Sequence, residues 1–134
     1  PPPARASVSR ARVLVVEDEP TLARVLADEL GAAHDVTLAD SAFAALDRLA
    51  NERFDVVLCD IRMPGMSGDA LYTAIAERDP KQAERFIFMT GVGFGAGIET
   101  FLEKVKRPVL DKPFPIDVAL QHIAKILNRA GRLT

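Results

Sequence analysis

Three short runs in this chain are apolar at every position: Val13-Leu14-Val15-Val16, Val56-Val57-Leu58-Cys59 and Phe86-Ile87-Phe88-Met89. A strand with one wet face alternates polar and apolar residues. Runs without that alternation read as strands covered on both sides, the condition of a parallel sheet enclosed by helices. Weaker strand candidates are Asp35–Ala39 and Pro108–Leu110. Helical periods fill the gaps. Leu22, Val25, Leu26 and Leu30 follow Pro20 in a first turn, and Gly31 stands where a C-cap would. Asp40 and Ser41 are candidate N-caps for a helix with the apolar face Phe43, Leu46, Leu49 and Ala50. Leu71, Ala74 and Ile75 mark a third helix ended by Asp79-Pro80, and Ile116, Leu120, Ile123, Leu127 and Ala130 form the stripe of the last. Parallel strands need such crossovers, so the expected architecture is an open α/β sheet with helices on both faces.

At 134 residues the chain has the size of one domain. A formal net charge of −2 offers no broad basic field for nucleic acid, and no apolar run is long enough to span a bilayer. The single cysteine, Cys59, rules out an internal disulfide framework and a cysteine-based zinc cluster. A reducing, cytoplasmic compartment is the expectation. Residues 1–10 are rich in Pro, Ala, Ser and Arg without an apolar period, and read as a linker or flexible terminus ahead of a domain over 11–132. The chain starts at Pro1 rather than Met, and the expectation is a fragment of a longer protein.

Ligands of open α/β sheets gather beyond the carboxyl ends of the strands. Glu17, Asp18 and Glu19 follow the first strand here. Asp60 ends the third, ahead of the turn Met63-Pro64-Gly65-Met66-Ser67-Gly68, Thr90 follows the fourth, and Lys112 follows the fifth. Crowded carboxylates repel unless a cation joins them, and oxygen donors without thiolate or imidazole suit Mg²⁺. A divalent ion beside a carboxylate, a hydroxyl and an ammonium is equipment for phosphoryl transfer, with Asp60 as the nucleophile candidate and Glu17 and Asp18 as metal ligands. Singly, each residue has a structural reading: acids after a strand can serve a helix N-terminus, which suits Glu19, and Asp60 or Thr90 can serve a turn or a cap.

The segments VLVVEDEP, VVLCDIRMPGMSG, FIFMTG and LDKPF, in this order and spacing, resemble the signature segments of response-regulator receiver domains, over about residues 11–130. The resemblance implies a flavodoxin-like five-stranded parallel sheet of order 2-1-3-4-5. It makes Asp60 the phosphoacceptor, with Mg²⁺ (or Mn²⁺) on Glu17, Asp18, Asp60 and the backbone carbonyl of Arg62. Thr90 would supply the switch hydroxyl, Lys112 would pair with a phosphoryl oxygen, and Lys112-Pro113 is expected to be cis. The domain would catalyse its own phosphorylation and dephosphorylation without being a turnover enzyme alone. The TG ending of the fourth strand, its glycine-rich continuation and the approach R-P-x-L-x-K-P-F further resemble receivers fused to hybrid sensor histidine kinases. The partners implied are a histidine kinase, in cis or in trans, and a histidine phosphotransfer protein, without nucleic acid or membrane contact by this domain.

Departures accompany the resemblance. Receivers usually carry an aromatic residue two or three positions before the lysine, whereas Val109 stands three before Lys112. Arg62 and Val92 occupy the variable positions that would flank the phosphoryl group. Residues 91–97 (GVGFGAG) hold four of the eight glycines, which predicts a late or frayed fourth helix and an order–disorder segment. The same glycines fit G-x-G-x-x-G/A, but a dinucleotide fingerprint belongs at the first βα turn, not after the fourth strand. His122 and Lys125 have the H-x-x-K spacing of phosphotransfer helices in the wrong fold, and read as helix surface; His34 reads as a turn residue. Lys104, Lys106 and Arg107 read as cations at a helix C-terminus. Two other functions stay open: a receiver-like docking module that is never phosphorylated, and an aspartate-nucleophile phosphatase, which needs a second acid where this chain has Arg62.

Overall fold

The computed structural model describes residues 10–91 and 95–129. Strands β1 (Arg12–Val16), β2 (Asp35–Ala39), β3 (Val56–Asp60), β4 (Phe86–Thr90) and β5 (Val109–Asp111) form one parallel sheet in the order β2-β1-β3-β4-β5. Helices α1 (Pro20–Leu30), α2 (Ala42–Asn51), α3 (Gly68–Arg78) and α4 (Ala96–Val105) lie in the connections, α5 (Ile116–Arg129) follows β5, and a single helical turn, Pro80–Ala83, precedes β4. The linker expected over residues 1–10 and the helix position Ala130 fall largely or wholly outside the described residues. No described helix is long and apolar enough to cross a membrane.

All five residues of β3 and all five of β4 are buried. Their lack of alternation has a direct cause, because successive side chains enter two different cores. Leu14, Val16, Val57, Cys59, Phe86 and Phe88 pack with the buried residues of α2 and α3. Val13, Val15, Val56, Leu58, Ile87 and Met89 pack with those of α1 and α5. Each strand therefore belongs to both layers.

The helix faces differ from expectation in detail. On α2 the buried residues are Ala42 and Ala45, with Leu46 and Leu49 packed beside them, while Phe43 is 58% exposed and Ala50 is exposed. Small residues let this helix approach the sheet closely, which turns Phe43 outward. On α1 the buried set is Ala23, Leu26 and Leu30, leaving Val25 exposed. Ser41 is the N-cap of α2, its hydroxyl accepting from the Ala44 amide at 3.0 Å, so Asp40 is not the cap. His34 lies at the bend that follows the turn 31–33, and it is buried there, its Nδ1 accepting the Ala11 amide at 3.2 Å.

The turn at Pro80–Ala83, absent from the periodicity, serves a local need. Gln82 is buried, donates from Nε2 to the Phe54 carbonyl at 2.9 Å and accepts the Phe54 amide at Oε1 at 3.1 Å. This closes the backbone just before β3 as a strand neighbour would. Gln82→Ala orphans both Phe54 groups and is expected to destabilise the domain by about 2 kcal/mol. Urea unfolding should show a lower midpoint with an unchanged slope; an unchanged midpoint would refute the role.

Candidate functional site

Strand register brings the polar residues together. Val16 is level with Cys59, which places Glu17 and Asp60, one residue on, side by side. Asp60 is in turn level with Met89, and Thr90 with Asp111, so Thr90 and Lys112 sit one step beyond their neighbours along the same carboxyl edge. Four strand ends thus deliver side chains to one crevice.

At its centre Lys112 bridges two carboxylates. Its Nζ donates to Glu17 Oε1 at 2.8 Å and to Asp60 Oδ2 at 2.9 Å. The Glu17 side chain is 1% exposed and that of Asp60 8%, while Lys112 retains 22%. Burial raises the Glu17 carboxyl from its ordinary value, against the pull of the Lys112 hydrogen bond and of the Glu19 amide. Burial also works against the Lys112 charge, yet its hydrogen bonds to Glu17 and Asp60 outweigh that and hold the ammonium above the usual lysine value. The lysine stays protonated and the pair of acids is its counter-charge.

Glu17, Asp18 and Asp60 each offer a carboxylate oxygen, and these lie within 4.8 Å of one another. Asp18 is the more exposed of the three. Glu19 is separate: it caps α1, accepting the Thr21 amide at 2.7 Å, and its own amide donates to Glu17 Oε2 at 3.1 Å. The structural reading therefore holds for Glu19, and its backbone helps aim Glu17.

Thr90 is buried at the end of β4 and donates from Oγ1 to Asp111 Oδ1 at 3.0 Å. Asp111 is not among the site residues that the sequence singled out. Its position immediately before Lys112, level with Thr90 across the β4–β5 pair, was the available signal. Where the loop after Asp60 enters α3, Gly68 packs against the backbone of Asp60 and Ile61. Gly68 donates its amide to the Ile61 carbonyl at 2.7 Å, and a Cβ there would lie 2.3 Å from the Asp60 carbonyl oxygen. Gly65 has φ +82°, which turns the loop sharply. Arg62 is exposed in this loop, and Lys112-Pro113 is cis.

Cys59 is wholly buried, and burial, reinforced by Asp60, Glu17 and Asp69, pushes its thiol well above the ordinary value. That makes it a core filler rather than a redox group. His122 is partly buried on α5, where burial and Lys125 lower its pKa. Val109 is half-buried and level with Phe88. The aromatic mass sits on other elements instead: Phe88 meets Tyr72 of α3 and Phe101 of α4 with ring centres 5.7 and 5.5 Å apart. Helix α4 starts at Ala96. Val92 and its neighbours 93 and 94 lie outside the described residues.

Comparison with known proteins agrees with this arrangement. The response regulator receiver domain model matches residues 13–124. The response regulator protein FleR of Pseudomonas aeruginosa is 35% identical over 119 residues, 86% of this chain and 24% of FleR. The receiver protein CpdR of Brucella abortus is 33% identical over 120 residues, covering 89% of this chain and 98% of CpdR. The sensor histidine kinase RcsC of Salmonella typhimurium is 33% identical over 124 residues, 90% of this chain but 13% of RcsC. The chain spans about a quarter of the length of FleR and of the similarly matched regulators. In fold, it superposes on a CheY-like receiver domain protein from Methanospirillum hungatei with a TM-score of 0.81, at 24% identity, over 90% of this chain and 96% of that one. With a parallel sheet of order 2-1-3-4-5, four strand ends converging on Asp60, and these relatives, the chain belongs to the response regulator receiver family of two-component signalling.

Proposed function

We propose that this domain is a phosphoacceptor that takes a phosphoryl group from a histidine kinase phosphohistidine onto Asp60. The observation that carries the reading is the Lys112 ammonium held between Glu17 and Asp60 at hydrogen-bond distance from both. An Asp60 carboxylate oxygen attacks phosphorus as the P–N bond to the donor imidazole breaks. The products are an acyl phosphate and a histidine that leaves as imidazole once it takes up a proton. Lys112 exchanges one carboxylate partner for a phosphoryl oxygen, which keeps its charge compensated throughout.

The donor set of Glu17, Asp18 and Asp60 is all carboxylate oxygen, which fits Mg²⁺ or Mn²⁺, with the Arg62 backbone carbonyl as a further ligand. When bound, the ion would neutralise charge on the equatorial phosphoryl oxygens. Thr90 has one hydroxyl proton, now given to Asp111. Donating it to the phosphoryl group requires leaving Asp111, and that exchange couples the site to β4, to the segment around residues 91–104 and to the β4–β5 face. Arg62, exposed two residues after Asp60, would hinder or orient the water that hydrolyses the acyl phosphate. The functional unit is residues 11–132, with 1–10 as linker, within a cytoplasmic protein whose kinase is supplied in cis or in trans and whose phosphoryl group passes on to a histidine phosphotransfer protein. The likeness to RcsC supports an origin in a kinase chain.

Intact mass after incubation with Mg²⁺ and acetyl phosphate, or with a phosphorylated kinase core, tests this. The expected result is one added phosphoryl group in the parent and none in Asp60→Asn or without Mg²⁺. No gain from either donor would leave the family fold serving as a docking module.

A further inference from the structure

The opposite end of the sheet carries a site that phosphoryl transfer does not use. A concavity of about 430 Å³ opens where β4 and β5 begin, within the ~300–1,000 Å³ range of small-molecule sites. Five cations surround it: Lys81, Arg85, Lys106, Arg107 and Arg129, against one carboxylate, Glu84. This concentration stands on a chain whose formal net charge is −2. Helix dipoles account for only part of it. Lys106 caps α4 and Arg129 ends α5, whereas Arg85 and Arg107 each stand just ahead of a strand and Lys81 lies in a single turn.

None of the five forms a salt bridge among the described residues. Two are anchored by backbone: Arg85 donates to the Asp55 carbonyl at 3.1 Å, and Arg107 donates to the Glu84 carbonyl. Burial, with the neighbouring Arg129 charge, lowers the Arg107 pKa. Among the described lining residues five like charges thus face the single carboxylate Glu84, an imbalance that an anionic ligand would relieve. The lining is not only charged. The half-buried Tyr72 and Val105 and the buried Ile126 add an aromatic and aliphatic wall.

We propose that this concavity binds a small organic polyphosphate of the nucleoside diphosphate class, its phosphates among the arginines and lysines and its planar body against Tyr72, Val105 and Ile126. Fixed guanidinium groups suit phosphate oxygens, and an apolar wall beside them selects for an organic body over a bare ion. The concavity opens at the start of β4 and β5, the strand pair whose other end carries Thr90 and Asp111, so occupancy and phosphorylation are expected to influence each other.

The test is a titration of the 134-residue chain with ADP, and separately with inorganic pyrophosphate, both without Mg²⁺ and followed by amide chemical shifts. Saturable shifts at Tyr72, Val105, Arg107 and Ile126 are expected, with ADP at least about fivefold tighter than pyrophosphate. The double variant Lys81→Glu, Arg129→Glu alters two exposed side chains and should weaken ADP about tenfold or more, with the spectrum elsewhere unchanged as the check on folding. Absence of saturable shifts at low-millimolar ADP overturns the proposal. So do shifts confined to the Glu17–Asp60–Lys112 end, an affinity untouched by the double variant, or equal affinity for pyrophosphate.

Discussion

Replacing Lys112 by methionine is expected to slow phosphorylation from acetyl phosphate by about 10²-fold or more, the scale of losing one preorganised charge partner in a transition state. It should also destabilise the chain in the absence of Mg²⁺. Lys112 is the cation that Glu17 and Asp60 share, and both acids are nearly closed to solvent. Methionine keeps the length of the stem and removes the charge, leaving two adjacent carboxylates facing each other. Breaking a buried pair in this way costs about 3–5 kcal/mol, and the lysine's partial exposure puts the expectation at the lower end, about 3 kcal/mol. Millimolar Mg²⁺ should restore a larger share of stability to Lys112→Met than it adds to the parent, because the ion would bind two uncompensated acids. Thermal unfolding with and without Mg²⁺ reads this directly. A variant as stable as the parent in chelator would show that Lys112 is not the compensating charge.

The second large effect is expected at Gly68. An added methyl would sit 2.3 Å from the Asp60 carbonyl oxygen, 2.9 Å from Ile61 Cα and 3.0 Å from the Asp60 carbonyl carbon. All three are backbone atoms of the segment that carries Asp60, so no flexible side chain can yield. Gly68→Ala is expected to cost about 3 kcal/mol in chemical denaturation, at the upper end of overpacking effects. It should slow phosphorylation too, since relief of the clash moves the chain at Asp60. Gly91→Ala is the comparison: an added Cβ meets nothing within 4 Å there, and the expected change is within about 0.5 kcal/mol. Equal stabilities for the two variants would refute the close-packing role of Gly68.

Asp60, Lys112, Thr90 and the acids after β1 were legible because each ends an apolar run, and strand ends of a parallel sheet share one edge by construction. The apolar runs themselves announced a sheet covered on both faces. What periodicity misplaced were residues whose burial depends on how closely a helix approaches. Phe43 lies on the stripe of α2 but is displaced outward by Ala42 and Ala45, and Val25 is left at the edge of α1. The turn at Pro80–Ala83 escaped because one helical turn carries no period, only a proline and an Asp79 side chain that accepts the Gln82 amide. Val109 is an absence on β5 that the fold fills from elsewhere, through Tyr72 and Phe101 around Phe88.

The amino-acid order alone thus determined the class of fold and the edge of the sheet where Glu17, Asp18, Asp60, Thr90 and Lys112 gather, because hydrophobic pattern and strand ends are local properties. The partners of those residues were decided by tertiary structure. Register across β1–β3 set Lys112 between Glu17 and Asp60, register across β4–β5 gave the Thr90 proton to Asp111, and the approach of α3 to Asp60 left room for glycine alone at position 68. The basic concavity at the far end is of the same kind, since Lys81, Arg85, Lys106, Arg107 and Arg129 come from three separate stretches of chain that only folding brings together. Distances between groups remote in sequence are fixed by packing, and it is those distances that turn a set of reactive side chains into a site.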